Sequence, residues 1–214
     1  MGFLGGSVVI QIVAVNIIIY VVEVFLARTA FLDIFGLTPR MVVTKGYVWQ
    51  LVTYMFLHGS PWHLILNMFV IWMFGTPLES VWGSNRFLNY YLICGLGGAA
   101  LSFVFSFNTA VIGASGAGYG ILVAYGMLFP YSEIYVWGLF PIRARTLVVF
   151  MVIIEFLSGI SGGDGIAHFA HLGGMAAGFI YLKSGRGVGR FFRNLGGGGK
   201  GGGDSWRDSG GGSA

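Results

Sequence analysis

The chain has 214 residues, 56% hydrophobic and 9% charged, with a mean hydropathy of +0.79. Soluble domains carry about 25% charged residues, so this composition cannot clothe a water-facing surface and the class is a polytopic membrane protein. The net charge of +4 reads as membrane topology rather than nucleic-acid binding, because the positive residues gather at one end; the single cysteine, Cys94, excludes an intrachain disulfide and any cysteine-based metal cluster.

Six apolar segments follow one another, at 8–27, 61–78, 87–107, 114–130, 146–161 and 166–182. About 20 residues span a hydrocarbon core as a helix; the fourth and fifth segments fall short of that. The first segment has no basic residues before it, exceeds a signal-peptide core in length and lacks a small-residue cleavage site, so it reads as a retained helix. The stretch 28–60 is too apolar for a solvated loop, with Phe31, Phe35, Trp49, Tyr54, Met55 and Phe56. It is expected to be structured, partly embedded and built of short helices. Ser60 and Pro61 suit the start of the second helix, and Pro130 suits the end of the fourth. No internal repeat suggests an inverted-repeat transporter. Residues 1–182 are therefore expected to form an all-α membrane core of six helices. Residues 183–214, rich in Gly, Arg and Ser, are expected to be a disordered basic tail.

Lys and Arg set the orientation. With six spans both termini share a side, and nine of the twelve basic residues fall there; Arg28, Arg40 and Lys45 fall on the other. Both termini are expected in the cytoplasm. The second, fourth and sixth helices then run from outside to inside. At about 1.5 Å per residue, His63 and Asn67, Ser115, and His171 lie at similar depth in the outer half of the bilayer.

A hydroxyl and an imidazole at bilayer depth are costly unless something uses them, and glycines beside both let two helices approach closely. Ser115 and His171 have the form of a nucleophile and its general base, because a serine hydroxyl attacks only when a neighbouring imidazole accepts its proton. Tyr119, four residues after Ser115, shares its helix face and is placed to stack on His171. No carboxylate is well placed as a third member. Asp164 is nearest in sequence to His171, in the loop before the sixth helix. Glu23 and Glu155 lie near helix ends, within reach of water or a partner. His63 and Asn67, at i and i+4, share a face and, with the Ser115 backbone N–H, make candidate oxyanion donors; losing one such donor costs about 3–4 kcal/mol. Taken singly, Ser115 also reads as a helix N-cap, and His171, His63 and Asn67 as interhelical hydrogen-bonders. His168 and His171 form a His-x-x-His, but no third ligand is evident and His-Glu-x-x-His is absent, so no metal is expected. His58 reads as structural or interfacial.

Three blocks together resemble the rhomboid family of intramembrane serine proteases over roughly residues 45–182. They are His63 to Asn67, Gly113-x-Ser115-Gly116 with Tyr119, and Ala170-His171-x-x-Gly174-x-x-x-Gly178. The resemblance implies a six-helix fold and a Ser115–His171 dyad below a water-accessible cavity, with His63 and Asn67 as oxyanion donors and Tyr119, Gly113 and Gly116 supporting. It also implies a first loop embedded in the outer leaflet, a cavity cap at residues 159–165, and single-span membrane proteins as substrates. It implies no cofactor, metal or nucleic acid. Many relatives carry Trp-Arg in the embedded loop where this chain has Trp49-Gln50, a departure that bears on how the loop is anchored. The compact chain favours a bacterial or archaeal plasma membrane. The rival reading is a non-proteolytic relative that binds transmembrane helices, and loss of Ser115 or His171 would mark it; a transporter would need more paired ionisable groups than the chain has.

Overall fold

The structure, a computed structural model, describes residues 6–25, 28–136, 138–161 and 166–186. Among the described residues three helices are long and apolar enough to cross a membrane: α1 (Val8–Phe25), α5 (Pro61–Trp82) and α6 (Ser84–Phe105). Three shorter apolar helices follow, α7 (Ser115–Leu128), α8 (Ala144–Ile160) and α9 (Ile166–Tyr181). The 14 residues of α7 make a rod of about 21 Å, short of a full hydrocarbon thickness.

The ends of these helices follow local rules. Ser60 caps α5 through its hydroxyl, which accepts from the His63 N–H at 3.1 Å, and Pro61 occupies the first turn, where its missing N–H costs nothing. At the start of α1 the backbone N–H groups of Val8 and Val9 have no intrahelical acceptor. The Glu79 carboxylate of α5 accepts both, at 2.7 and 3.1 Å, and takes the Ser7 and Ser84 hydroxyls as well. An acidic group there also complements the helix dipole, so α1 is fixed to the junction of α5 and α6.

Helix α7 is the most enclosed element. Gly116 to Gly118, Gly120 to Ala124 and Gly126 are all buried, with α5, α6, α8 and α9 around it. Small residues set that arrangement. A Cβ on Gly174 of α9 would collide with the Gly116 carbonyl of α7, and one on Gly173 would collide with the Gly97 carbonyl of α6. Backbones in such contact gain dispersion and interhelical attraction without a hydrophobic driving force. Tyr90 adds a polar tie between α6 and α7, its hydroxyl donating to the Gly120 carbonyl at 2.6 Å. By contrast α8 buries only Ala144 and Glu155; it sits at the rim of the bundle.

Residues 28–60 form a folded segment, with α2 (Arg28–Phe35), α3 (Pro39–Lys45), α4 (Gln50–Thr53) and a 3-10 turn at Tyr54–Phe56. The expected short helices are present. Gln50 is fully buried. Its Nε2 donates to the carbonyls of Asp33 and Ile34 at 3.2 and 3.1 Å, and its Oε1 accepts from the Thr38 N–H at 3.1 Å. The Trp49 indole N–H also reaches the Ile34 carbonyl, at 2.9 Å. The segment is tied to the rest by Tyr54, whose hydroxyl donates to Gly95 of α6 at 2.7 Å, and by the Leu37–Val111 bridge.

One expectation needs correction. The chain is mostly helical rather than all-α, because β1 (Glu133–Val136) and β2 (Phe140–Arg143) pair antiparallel between α7 and α8, Glu133 opposite Arg143 and Val136 opposite Phe140. The run Ile134-Tyr135-Val136 is β-branched and aromatic, which favours extended backbone. The expected tail lies outside the described residues beyond 186, as does most of the expected cavity cap at 159–165.

The Gln50 network generates a stability prediction. Gln50→Leu leaves the Thr38 N–H and the Asp33 carbonyl without their partner and should destabilise the protein by about 2–3 kcal/mol. The readout is a lower midpoint of thermal unfolding in detergent. An unchanged midpoint would show that Gln50 does not anchor the segment.

Candidate active site

Ser115 is the first residue of α7. The N-cap position is Ala114, with no side-chain cap bond, so the serine hydroxyl is not spent on the helix end. It lies instead 2.8 Å from Nε2 of His171, in the second turn of α9. The two residues are 56 apart in sequence, and the Gly116–Gly174 contact one position and three positions further on brings their helices together.

Two further groups hold the imidazole. Tyr119 stacks on it, ring centroids 4.3 Å apart and planes 20° apart. Its other nitrogen, Nδ1, is 3.0 Å from Oε2 of Glu155 on α8. An ionised carboxylate only accepts, so Nδ1 carries the hydrogen and the Nε2 lone pair faces the serine. The same Oε2 lies 2.6 Å from Nδ1 of His168, one turn before His171, and Oε1 accepts from the Tyr119 hydroxyl. Glu155 is 5% exposed and makes all three contacts.

Across the site, His63 is oriented from its own helix start. The Gly59 N–H donates to its Nδ1 at 3.2 Å, which leaves the hydrogen on Nε2. That Nε2 lies close to Gly113, where a Cβ would stand 2.9 Å from it and 3.6 Å from the Ser115 hydroxyl. Gly113 itself has φ +121°, a conformation that L side chains rarely adopt; the turn into α7 and the approach to His63 both require glycine. Asn67 uses one amide hydrogen on the His63 carbonyl at 2.8 Å, keeping a second donor hydrogen. His58 is fully buried with its ring edge-on to His63, 5.1 Å between centroids. Burial first, and then the charge of His63, lowers its pKa to about 4.

Ser115, His171, Tyr119, His63 and Asn67 line one cavity of about 370 Å³. All five residues singled out from the sequence for chemistry or support there are thus brought together, with Gly113 in the turn before α7 and Gly116 at the contact with Gly174. A hydroxyl against an unprotonated ring nitrogen, with N–H donors across an open cavity, can transfer a proton and attack a carbonyl.

Sequence reasoning missed Glu155. Its signal is a carboxylate within an apolar segment, which is costly at membrane depth; a position near a helix end reads as within reach of water or a partner and does not say which. Asp164 lies outside the described residues. With Glu155 in place the His168–His171 pair gains a possible third ligand. Tetrahedral zinc ligands 2.0–2.1 Å from the ion stand about 3.3 Å from one another. Here the carboxylate oxygen is 2.6 and 3.0 Å from the two nitrogens, the spacing of direct hydrogen bonds.

Residues 45–185 match the family model described as Rhomboid domain. The chain is 36% identical over 146 residues to RHOMBOID-like protein 4 of Arabidopsis thaliana, covering 68% of this chain and 36% of that protein. It is 34% identical over 153 residues to Rhomboid protease GluP of Bacillus subtilis, covering 72% and 29%. To Rhomboid protein 1, mitochondrial, of Saccharomyces cerevisiae it is 30% identical over 156 residues, covering 68% and 45%. The chain spans less than half the length of each of these relatives.

The geometry depends on α7 and α9 touching. Gly174→Val should push the helices apart at Gly116, and a misplacement of about 1 Å in such a pair costs on the order of 100-fold in rate. The measurement is the rate at which a fluorophosphonate labels Ser115. Labelling of folded Gly174→Val protein at the wild-type rate would show that the approach does not set the serine–histidine contact.

Proposed function

The chain belongs to the rhomboid family, and from that premise we propose that it is an intramembrane serine endopeptidase that cleaves membrane proteins in or near their transmembrane segments. The observation that carries this reading is the 2.8 Å contact between the Ser115 hydroxyl and Nε2 of His171 at the wall of a cavity. The name of one relative, Rhomboid protease GluP, supports it.

In the proposed reaction Ser115 Oγ attacks the scissile carbonyl while His171 Nε2 takes the hydroxyl proton. The negative oxygen of the tetrahedral intermediate accepts from His63 Nε2–H, the free Asn67 amide hydrogen and the Ser115 backbone N–H. His171 then returns the proton to the leaving amine, and an acyl-enzyme on Ser115 remains. Water entering the cavity attacks that ester with His171 again as base. A helical substrate has its peptide groups bonded internally, so it must unwind locally before it reaches Ser115. Choice among substrates then depends on helix instability as well as on side-chain fit.

The same reading assigns the apolar helices to the membrane. Helices α1, α5, α6, α7, α8 and α9 are the six spans, both termini are cytoplasmic, and residues 28–60 lie in the outer leaflet. Residues 183–214 form a basic tail on the cytoplasmic side, in a bacterial or archaeal plasma membrane. A relative that only binds transmembrane helices would not need the hydroxyl and the imidazole in bonding contact, and this favours the protease.

Purified protein in detergent is expected to cleave a model transmembrane substrate, and Ser115→Ala to abolish cleavage. His171→Ala should be about as damaging as Ser115→Ala, and the double variant no worse, because the two act as a unit. Asn67→Ala, which removes one oxyanion donor, should lower kcat by about 100-fold. Cleavage that survives Ser115→Ala rejects the assignment.

A further inference from the structure

A serine and a histidine are the two partners that the family resemblance supplies, yet in this chain the imidazole has a third. We propose that Glu155 is a positioning residue for His171, so that Ser115, His171 and Glu155 work as a hydrogen-bonded relay, with His168 and Tyr119 holding the carboxylate in place. The proposal rests on the serine-protease reading above and extends it.

Four observations converge. The relay is continuous: Ser115 Oγ to His171 Nε2 is 2.8 Å, and His171 Nδ1 to Glu155 Oε2 is 3.0 Å. The carboxylate comes from α8, whose only other buried residue is Ala144. Glu155 is also fully engaged. His171, His168 and Tyr119 each direct a donor at it, and an ion at membrane depth persists only when so satisfied. Finally, Tyr119 does two things at once, stacking on the His171 ring and donating to the carboxylate. The ring plane and the carboxylate position are therefore set by one side chain.

The chemistry follows from the tautomer. With Nδ1–H bound to Glu155, the Nε2 lone pair is the one that faces Ser115. When the serine proton moves to Nε2, His171 becomes an imidazolium beside a fixed negative charge. Glu155 stabilises it without taking a proton, as a buried carboxylate does in other serine proteases. The proton on Nε2 then passes to the leaving amine, and the Nδ1–H stays where it began. His168 is 32% exposed at its side chain and shares Oε2 with His171, so it sets the carboxylate's direction from the open side.

The test compares wild type, Ser115→Ala, Glu155→Gln and Glu155→Asp in detergent on one transmembrane substrate. A glutamine has one acceptor oxygen for three donors, and its amide can turn the imidazole to the wrong tautomer. Glu155→Gln is expected to lower kcat by at least about 100-fold with KM within about twofold. The rate of fluorophosphonate labelling at Ser115 should fall with it in protein that remains folded. Glu155→Asp should recover at least about tenfold of the lost kcat, the shortened acid still offering a charge. A downfield proton resonance from the His171 Nδ1–H should be present in wild type and absent in Glu155→Gln.

If wild type cleaves, Ser115→Ala does not, and Glu155→Gln keeps its kcat within about threefold, the positioning role is wrong and the protease reading stands. If Ser115→Ala also cleaves, it is the protease reading that fails. Should Glu155→Gln not fold, Glu155→Asp and the resonance decide: an absent downfield signal in active wild type overturns the proposal. Cleavage lost to a chelator and restored by Zn²⁺ also overturns it, by making the three side chains metal ligands.

Discussion

A buried polar group needs a partner, and within an apolar helical bundle the partners must come from the protein. That requirement organises the centre of this molecule. The Ser115 hydroxyl, opening a helix without capping it, finds His171. His171 turns its other nitrogen to Glu155, and Glu155 is satisfied only by collecting His168 and Tyr119 as well. The links at Glu155 have meaning because that carboxylate is buried; at a wet surface the same pairs would be worth little. The proposed chemistry borrows this arrangement rather than adding to it, since the contacts that satisfy the polar groups also aim the lone pair of His171 at the serine.

Such a chain of contacts needs helices closer together than large side chains allow. Gly116 against Gly174, and Gly97 against Gly173, bring α9 into backbone contact with α7 and α6. The Ser115–His171 contact sits within a turn of the first of these. Packing and chemistry are thus one problem: the glycines that let the bundle cohere fix the distance across which a proton would move.

Away from the site, the same rule explains the folded segment between α1 and α5. Its short helices expose backbone groups that no regular ladder satisfies, and Gln50 gathers three of them. A neutral amide, with a donor end and an acceptor end, can serve carbonyls and an N–H together. An arginine supplies donors alone and could not accept from the Thr38 N–H as Gln50 does. Glu79 does the corresponding work at the far end of the bundle, receiving the N–H groups of α1.

Much of this was legible in the linear sequence. Hydropathy alone marks each apolar helix to within a few residues of its observed ends, because a span needs a long run without charge. Ser60 and Pro61 announce the start of α5, and the i, i+4 spacings of Ser115 with Tyr119 and of His63 with Asn67 fix shared faces, because helix geometry is local. The motif blocks point to the residues that line the cavity. Two features were not legible. The hairpin at Glu133–Arg143 lies in a linker too short to show a strand pattern between helices. Glu155 read as a carboxylate near a helix end, because nothing in a one-dimensional string says which way the rim helix turns. Sequence determines what each helix carries and how far along it. Only tertiary structure decides which faces meet, and a carboxylate's role is set by the donors it faces across helices, at separations that no spacing along the chain encodes.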